Sequence, residues 1–172
     1  MIPGSRAALP WSDRPQRLMR RDLGTALIGG SVGGLLDAIY ATVLWGFIIG
    51  DNPAGVWQSV AAGLLGKASY QGGNATALLG LALHFFIAVI MALVYVRAAR
   101  RVPALIERPV IMGALYGVVL YLVMNFVVVP FSAIGFHAPS LAGALRALLP
   151  HVLFVGPVIA LCAARRGSKP TS

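Results

Sequence analysis

Acidic residues are scarce in this chain of 172 residues: Asp and Glu together number 5, against 14 Lys and Arg. Charged residues make up 11% of the sequence, less than half of the roughly 25% found in soluble domains. So few charges cannot clothe the core of a soluble protein of this size. Cysteine is nearly absent as well. The single Cys162 excludes an internal disulfide and any metal site built on cysteine spacing. Two further patterns are missing. No strand-like alternation of polar and apolar residues suggests a β-barrel, and no nucleophile stands beside a base at a telling spacing, so no enzyme is expected.

What remains is a chain that is 58% hydrophobic with a mean hydropathy of +0.81. Four apolar stretches, at about 23–50, 74–97, 109–131 and 141–164, each reach the roughly 20 residues that a helix needs to cross about 30 Å of hydrocarbon. The sequence therefore predicts an all-α membrane protein, a four-transmembrane-helix bundle over 23–164. A basic N-terminal segment (1–22) precedes it and a basic tail (165–172) follows. The first apolar stretch exceeds the roughly 7–15 residues of a signal-peptide core, so it is expected to be retained.

The net charge of +9 raises the question of nucleic acid, but the basic residues fall in short clusters between apolar runs rather than along one face. The lipid bilayer is the expected partner, and no nucleic acid. Arg6, Arg14, Arg17, Arg20 and Arg21 precede the first span, Arg97, Arg100, Arg101 and Arg108 join the second to the third, and Arg165, Arg166 and Lys169 follow the fourth. The other side has only Lys67 and Arg146, the latter able to snorkel. By the positive-inside rule both termini are cytoplasmic and the protein is multi-pass in a bacterial inner membrane.

Between the first two spans, Asp51 or Asn52 can cap a helix that starts at Pro53 and ends at Gly66. Val56, Trp57, Val60 and Leu64 share one face, which predicts a short amphipathic helix on the outer (periplasmic) surface with Trp57 at the headgroups. It serves as a shielding connector or as a lid. Ser12 to Asp22 is expected to form a basic helix on the inner leaflet. Trp11, Trp45, Tyr70 and Tyr95 fit aromatic belts, Met91, Met112 and Met124 fit packing roles, and His137 fits a solvated loop.

Small residues let helices in lipid approach one another, and polar groups shared between them add to the association. Gly29, Gly30, Gly33 and Gly34 form overlapping GxxxG pairs, and Asp37 continues their face. Ala77, Gly80, His84, Ala88 and Ala92 line the second helix, Gly113, Gly117, Tyr121 and Asn125 the third, and Gly143, Ala147 and His151 the fourth. At about 1.5 Å per residue, Asp37, His84, Tyr121 and His151 fall near the bilayer midplane, with Asn125 about one turn further out. Pro150 should free the carbonyl of Arg146 and bend the fourth helix, and Pro157 should bend it again.

This cluster has three readings. The first is a non-enzymatic structural or accessory subunit, a small homo-oligomer or a member of a larger membrane complex, with the polar residues fixing helix register. The second is a proton- or small-solute-conducting protein using Asp37, His84 and His151. The third is a cofactor module, with haem on two axial histidines or a divalent metal on His84, His151 and Asp37. No cofactor is otherwise implied. A weak internal repeat, AL-x-x-L-x-x-H at Ala77 to His84 and Ala144 to His151, would make the chain a tandem of helical hairpins, each giving one histidine to a shared centre.

The order of features resembles the YagU-like family of small bacterial inner-membrane proteins. It rests on the glycine-rich first helix (GGSVGGLLDAIYA), a proline-containing outer segment, LALHFF in the second helix, FVVVPFSAIGFHAPS after the third and LLPHVLF in the fourth. The resemblance implies a multi-pass inner-membrane protein with a link to stress or acid tolerance, and it assigns no catalytic residue.

Overall fold

The computed structural model describes residues 13–50, 52–135 and 138–167. Trp11, Asp51, His137 and Lys169 therefore lie outside the described residues, as do the side chains of Arg14 and Arg166. The described residues are helical with short connections and contain no strand: α1 (Asp13–Ala41), α2 (Pro53–Leu65), α3 (Gly73–Ala98), α4 (Ala104–Glu107), α5 (Pro109–Val123), α6 (Leu141–Pro150) and α7 (Gly156–Gly167). Four helices are long and apolar enough to cross a membrane: Gln16–Ile48, Gly73–Ala98, Pro109–Val128 and Leu141–Arg165. Large apolar side chains such as Ile28, Phe47, Leu78, Phe86 and Val110 point outward, 60% or more exposed, as helices surrounded by lipid require.

Three of these four spans change winding. Thr42–Ile48, Met124–Val128 and His151–Val155 are π-helical continuations of α1, α5 and α6. The last segment runs between Pro150 and Pro157, whose missing N–H groups disrupt regular α bonding. The carbonyl of Arg146, four residues before Pro150, accepts instead from Tyr40 Oη at 3.1 Å. The bend predicted at Pro150 thus becomes a change of helical register with the freed acceptor satisfied from α1.

Glycine decides how closely the spans approach. The first span has two glycine faces. A Cβ on Gly30 would lie 2.6 Å from Val89 Cα and one on Gly34 3.2 Å from Ala88 Cβ, both on α3. A Cβ on Gly29 would lie 3.3 Å from Cys162 Cβ and one on Gly33 3.4 Å from Val155 Cα, both in the fourth span. Between α5 and the fourth span, Gly113 sits on Pro157 and Gly117 on the carbonyl of His151, too close for any Cβ. Gly80 also has no room, but its neighbour is the carbonyl of Trp57 on α2 rather than another span.

Gly143 departs from expectation. A Cβ there would meet only Ser140 Oγ, because Gly143 lies in the first turn of α6, where its N–H is capped by that same hydroxyl at 3.1 Å. It is a capping position and not a helix contact.

The basic end of the bundle is packed solid by Ala26, Ala92, Tyr95, Val96, Leu120, Val155, Ile159, Ala160 and Ala163. Tyr95, expected in an aromatic belt, is 1% exposed; its hydroxyl donates to the carbonyl of Leu105 at 2.8 Å, and Tyr116 donates to that of Met91 at 2.8 Å. The boundary expected at residue 22 is no break either, since α1 runs straight through it. Asp22 is 2% exposed and pairs with Arg100, Oδ2 to guanidinium nitrogen 2.7 Å. That guanidinium also donates to the carbonyl of Leu18 at 2.9 Å. A carboxylate so buried is held by its hydrogen-bonded cation, and the pair ties the start of α1 to the end of α3.

Gly30→Ala should lower the thermal unfolding midpoint in detergent, at a cost of about 1–3 kcal/mol from overpacking. Gly24→Ala, with nothing within 4 Å of the added methyl, should leave it unchanged or raise it. Equal effects of the two substitutions would contradict the glycine contact.

Candidate functional site

Two cavities meet at one pair of side chains. The larger, about 530 Å³, is lined by Asp37 and Ala41 of α1, Trp45 of the π segment that follows, Asn52, a stretch of α2 including Trp57, Ser59 and Val60, Tyr70, and His84 of α3. It opens to the surface beside Asn52, Ser59 and Tyr70, which are exposed. The smaller, about 100 Å³, lies deeper among Gly34, Asp37, Val60, His84, Ile87, Ala88, Met91, Leu120, Met124, His151 and Val155. Asp37, Val60 and His84 line both. Beyond the inner chamber, Leu120 and Val155 belong to the packed core, so the system is open at one end and closed towards the basic end.

The hydrogen bonds assign the imidazole protons. His84 Nε2 lies 2.9 Å from the carbonyl of Gly34. A carbonyl only accepts, so Nε2 carries a hydrogen and Nδ1 is left facing Asp37. Nδ1 and Asp37 Oδ2 are 3.9 Å apart. That is too long for a hydrogen bond but short enough for an ion pair once Nδ1 is protonated. Both side chains retain some exposure, 17% for His84 and 16% for Asp37. His151 is bound differently: its Nδ1 donates to the carbonyl of Ala147 in its own helix at 2.8 Å, which turns the Nε2 edge free.

The small residues beneath explain the placement. Gly34 brings α3 close enough for its carbonyl to receive His84, and Gly117 lets α5 lie on the His151 backbone. The π segments at Met124–Val128 and His151–Val155 present Met124, His151 and Val155 to the inner chamber; such insertions frequently mark functional positions.

Of the five residues expected to converge, Asp37, His84 and His151 do share the inner chamber. Tyr121 stands behind, buried, with its ring centroid 6.5 Å from that of His151. Asn125 does not join: its Nδ2 donates to the carbonyl of Tyr121, one turn back in its own helix, at 2.9 Å. An amide that can satisfy itself locally has no need of the cluster.

The larger correction concerns α2. Asn52 does cap it, its Oδ1 accepting from the N–H of Ala54 at 3.0 Å, and the helix does stop at Gly66, whose φ of +59° suits glycine. The packed face, however, runs through Gln58, Ala61 and Ala62, while Leu64 is exposed. Trp57 packs edge-on to His84, ring centroids 5.4 Å apart. From Pro53, against Gly46, the helix crosses Gly80 and reaches the 129–135 loop, where the carbonyl of Gly63 accepts from the N–H of Ala133 at 2.9 Å. It borders the inner chamber, with Val60 among the lining residues. Trp45, Trp57 and Tyr70 all line the larger cavity, a vestibule above the inner chamber.

Among the described residues, no three His, Cys, Asp or Glu side chains are grouped as ligands for one metal ion. The inner chamber, about 100 Å³, has room for a few water molecules. No protein-family model, no curated protein and no solved structure matches the chain.

Gly80→Val should push α2 away from α3, separating Trp57 from His84. In a Trp11→Phe, Trp45→Phe background, where Trp57 is the sole indole, its emission should shift to longer wavelength, whereas Gly55→Ala, with nothing within 4 Å, should not shift it.

Proposed function

We propose that this is a non-enzymatic, multi-pass protein of a bacterial inner membrane that takes up a proton or small polar solute at Asp37 and His84 from the outer side. The observation that carries this is the shared wall: Asp37 and His84, the one carboxylate and the one imidazole among the described residues lining the vestibule, also line the inner chamber beneath it. A pair that served only to fix helix register would gain by being dry and hydrogen-bonded to each other. These two keep 17% and 16% of their side chains exposed and stand 3.9 Å apart.

The distribution of charge supports an arrangement with both termini inside. Arg17, Arg20, Arg21, Arg97, Arg100, Arg101, Arg108 and Arg165 belong to the closed end, which the positive-inside rule assigns to the cytoplasm. The vestibule then faces the periplasm, with α2 as an outer lid. The resemblance to YagU-like inner-membrane proteins agrees with this location, and a link to acid tolerance would suit a histidine facing the more acidic compartment.

The alternative of an oligomer joined through glycine faces has lost its main support. Gly29, Gly30, Gly33, Gly34, Gly113 and Gly117 all meet other spans of the same chain. The closed end also weighs against a continuous conduit and in favour of a site loaded from one side.

Two measurements test this reading. With Cys162→Ala as background, Lys67→Cys in intact cells should react with a membrane-impermeant maleimide, and Arg101→Cys should react only after lysis; the reverse pattern would invert the protein. With Trp57 as sole tryptophan, its emission should fall on acidification, because a proton taken up at His84 puts an imidazolium against the indole. His84→Gln should abolish that transition. The groups near His84 that bear on it are Asp37 from α1, Tyr70 from the segment before α3 and His151 across the inner chamber.

A further inference from the structure

We infer that the vestibule binds a monovalent organic cation of the alkylammonium type, and that cation and proton exclude one another there; this rests on the proposed uptake site at Asp37 and His84. The volume of about 530 Å³ lies within the roughly 300–1,000 Å³ of small-molecule sites. The chamber below it, about 100 Å³, passes water and little more, so a ligand stops at Asp37.

The lining specifies the sign of charge. Among the described residues of the wall Asp37 is the sole acid, and no Lys or Arg joins it. Among the described residues no donor hydrogen-bonds to the Asp37 carboxylate, and its one charged neighbour is His84 Nδ1 at 3.9 Å. A carboxylate in a half-enclosed, low-dielectric cleft without a fixed counter-ion attracts a cation.

The walls specify the kind of cation. Trp45, Trp57 and Tyr70 come from three separate elements, the π segment after α1, α2, and the turn before α3, and all border the same space. Aromatic rings bind weakly hydrated ammonium groups through their negative faces, and several rings around one carboxylate favour an alkylated ammonium over a strongly hydrated inorganic ion. Asn52 and Ser59 leave polar atoms at the mouth.

Competition with protons follows from the same geometry. An imidazolium at His84 would both neutralise Asp37 and place a positive charge against the ligand. Besides Asp37, the titratable groups facing His84 are Tyr70 in the vestibule and His151 across the inner chamber.

The test uses the full chain in detergent. Choline chloride is titrated against tryptophan emission and by calorimetry, with sodium chloride at equal ionic strength as blank and 3,3-dimethyl-1-butanol as the uncharged analogue of the same shape. Choline should bind saturably, and the alcohol and sodium should not. Asp37→Asn and Trp57→Leu should each weaken binding by about tenfold or more, and Trp57→Phe by less, since a smaller ring still offers a π face. Acid sufficient to protonate His84 should weaken binding in the wild type but not in His84→Gln. Equal binding of the alcohol, or full binding by Asp37→Asn, overturns the inference. The absence of any choline response overturns it too, while a Trp57 pH transition that persists leaves the uptake site standing. Loss of that transition in the wild-type histidine background removes both. The comparison of choline with its uncharged analogue needs no variant, so a substitution that fails to fold does not rescue the idea.

Discussion

Backbone must meet backbone for these spans to hold together, because lipid tails are as apolar as leucine and provide no hydrophobic force between helices. Packing is then a matter of distance, and glycine sets the distance. Gly30 and Gly34 admit α3, Gly29 and Gly33 admit the fourth span, and Gly113 and Gly117 lock that span to α5. Everything at the site follows from this clamp. With Gly34 pressed against α3, its carbonyl lies where His84 can reach it, and Asp37, one turn further on, lies opposite the other imidazole nitrogen.

The clamp is uneven along the bundle, and the unevenness makes the cavities. Towards the basic end the interior is filled by alanine, tyrosine and isoleucine, and Asp22 with Arg100 closes the surface. Towards the other end, the first, third and fourth spans change to π winding. A π turn widens a helix and redirects its side chains, which is how Trp45, Met124 and His151 come to face hollow space. The cost in backbone hydrogen bonds is met locally, as where Tyr40 takes up the carbonyl that Pro150 releases. α2 then packs over this end, seated on Gly80 of α3, where no side chain holds it off.

Much of the site could be read from the chain, but by a route that ignored direction. The periodicity of small residues put Asp37, His84 and His151 on inward faces, and depth along each helix put them level. It erred for Asn125, whose amide found its own helix, and for Gly143, which serves a cap. Tyr95, expected in a belt, is buried in the core. Trp45, Trp57, Tyr70 and Tyr95 are near the ends of apolar runs, where membrane proteins collect aromatics, and one-dimensional position does not separate a belt from a cavity wall or a core. Nothing in the spacing linked Asp22 to Arg100, separated by most of two spans.

Length and apolarity were enough to specify helices that cross a membrane, since hydrocarbon tolerates no unpaired backbone and a helix is the local answer to that demand. The composition of each face, glycine against leucine, was enough to say which sides turn inward. Which glycine meets which partner, where the winding slips from α to π, and that α2 folds over the bundle with its tryptophan on a histidine all depend on contacts between residues far apart in the chain. Such contacts are fixed by shape in three dimensions, and periodicity along one helix carries no record of them.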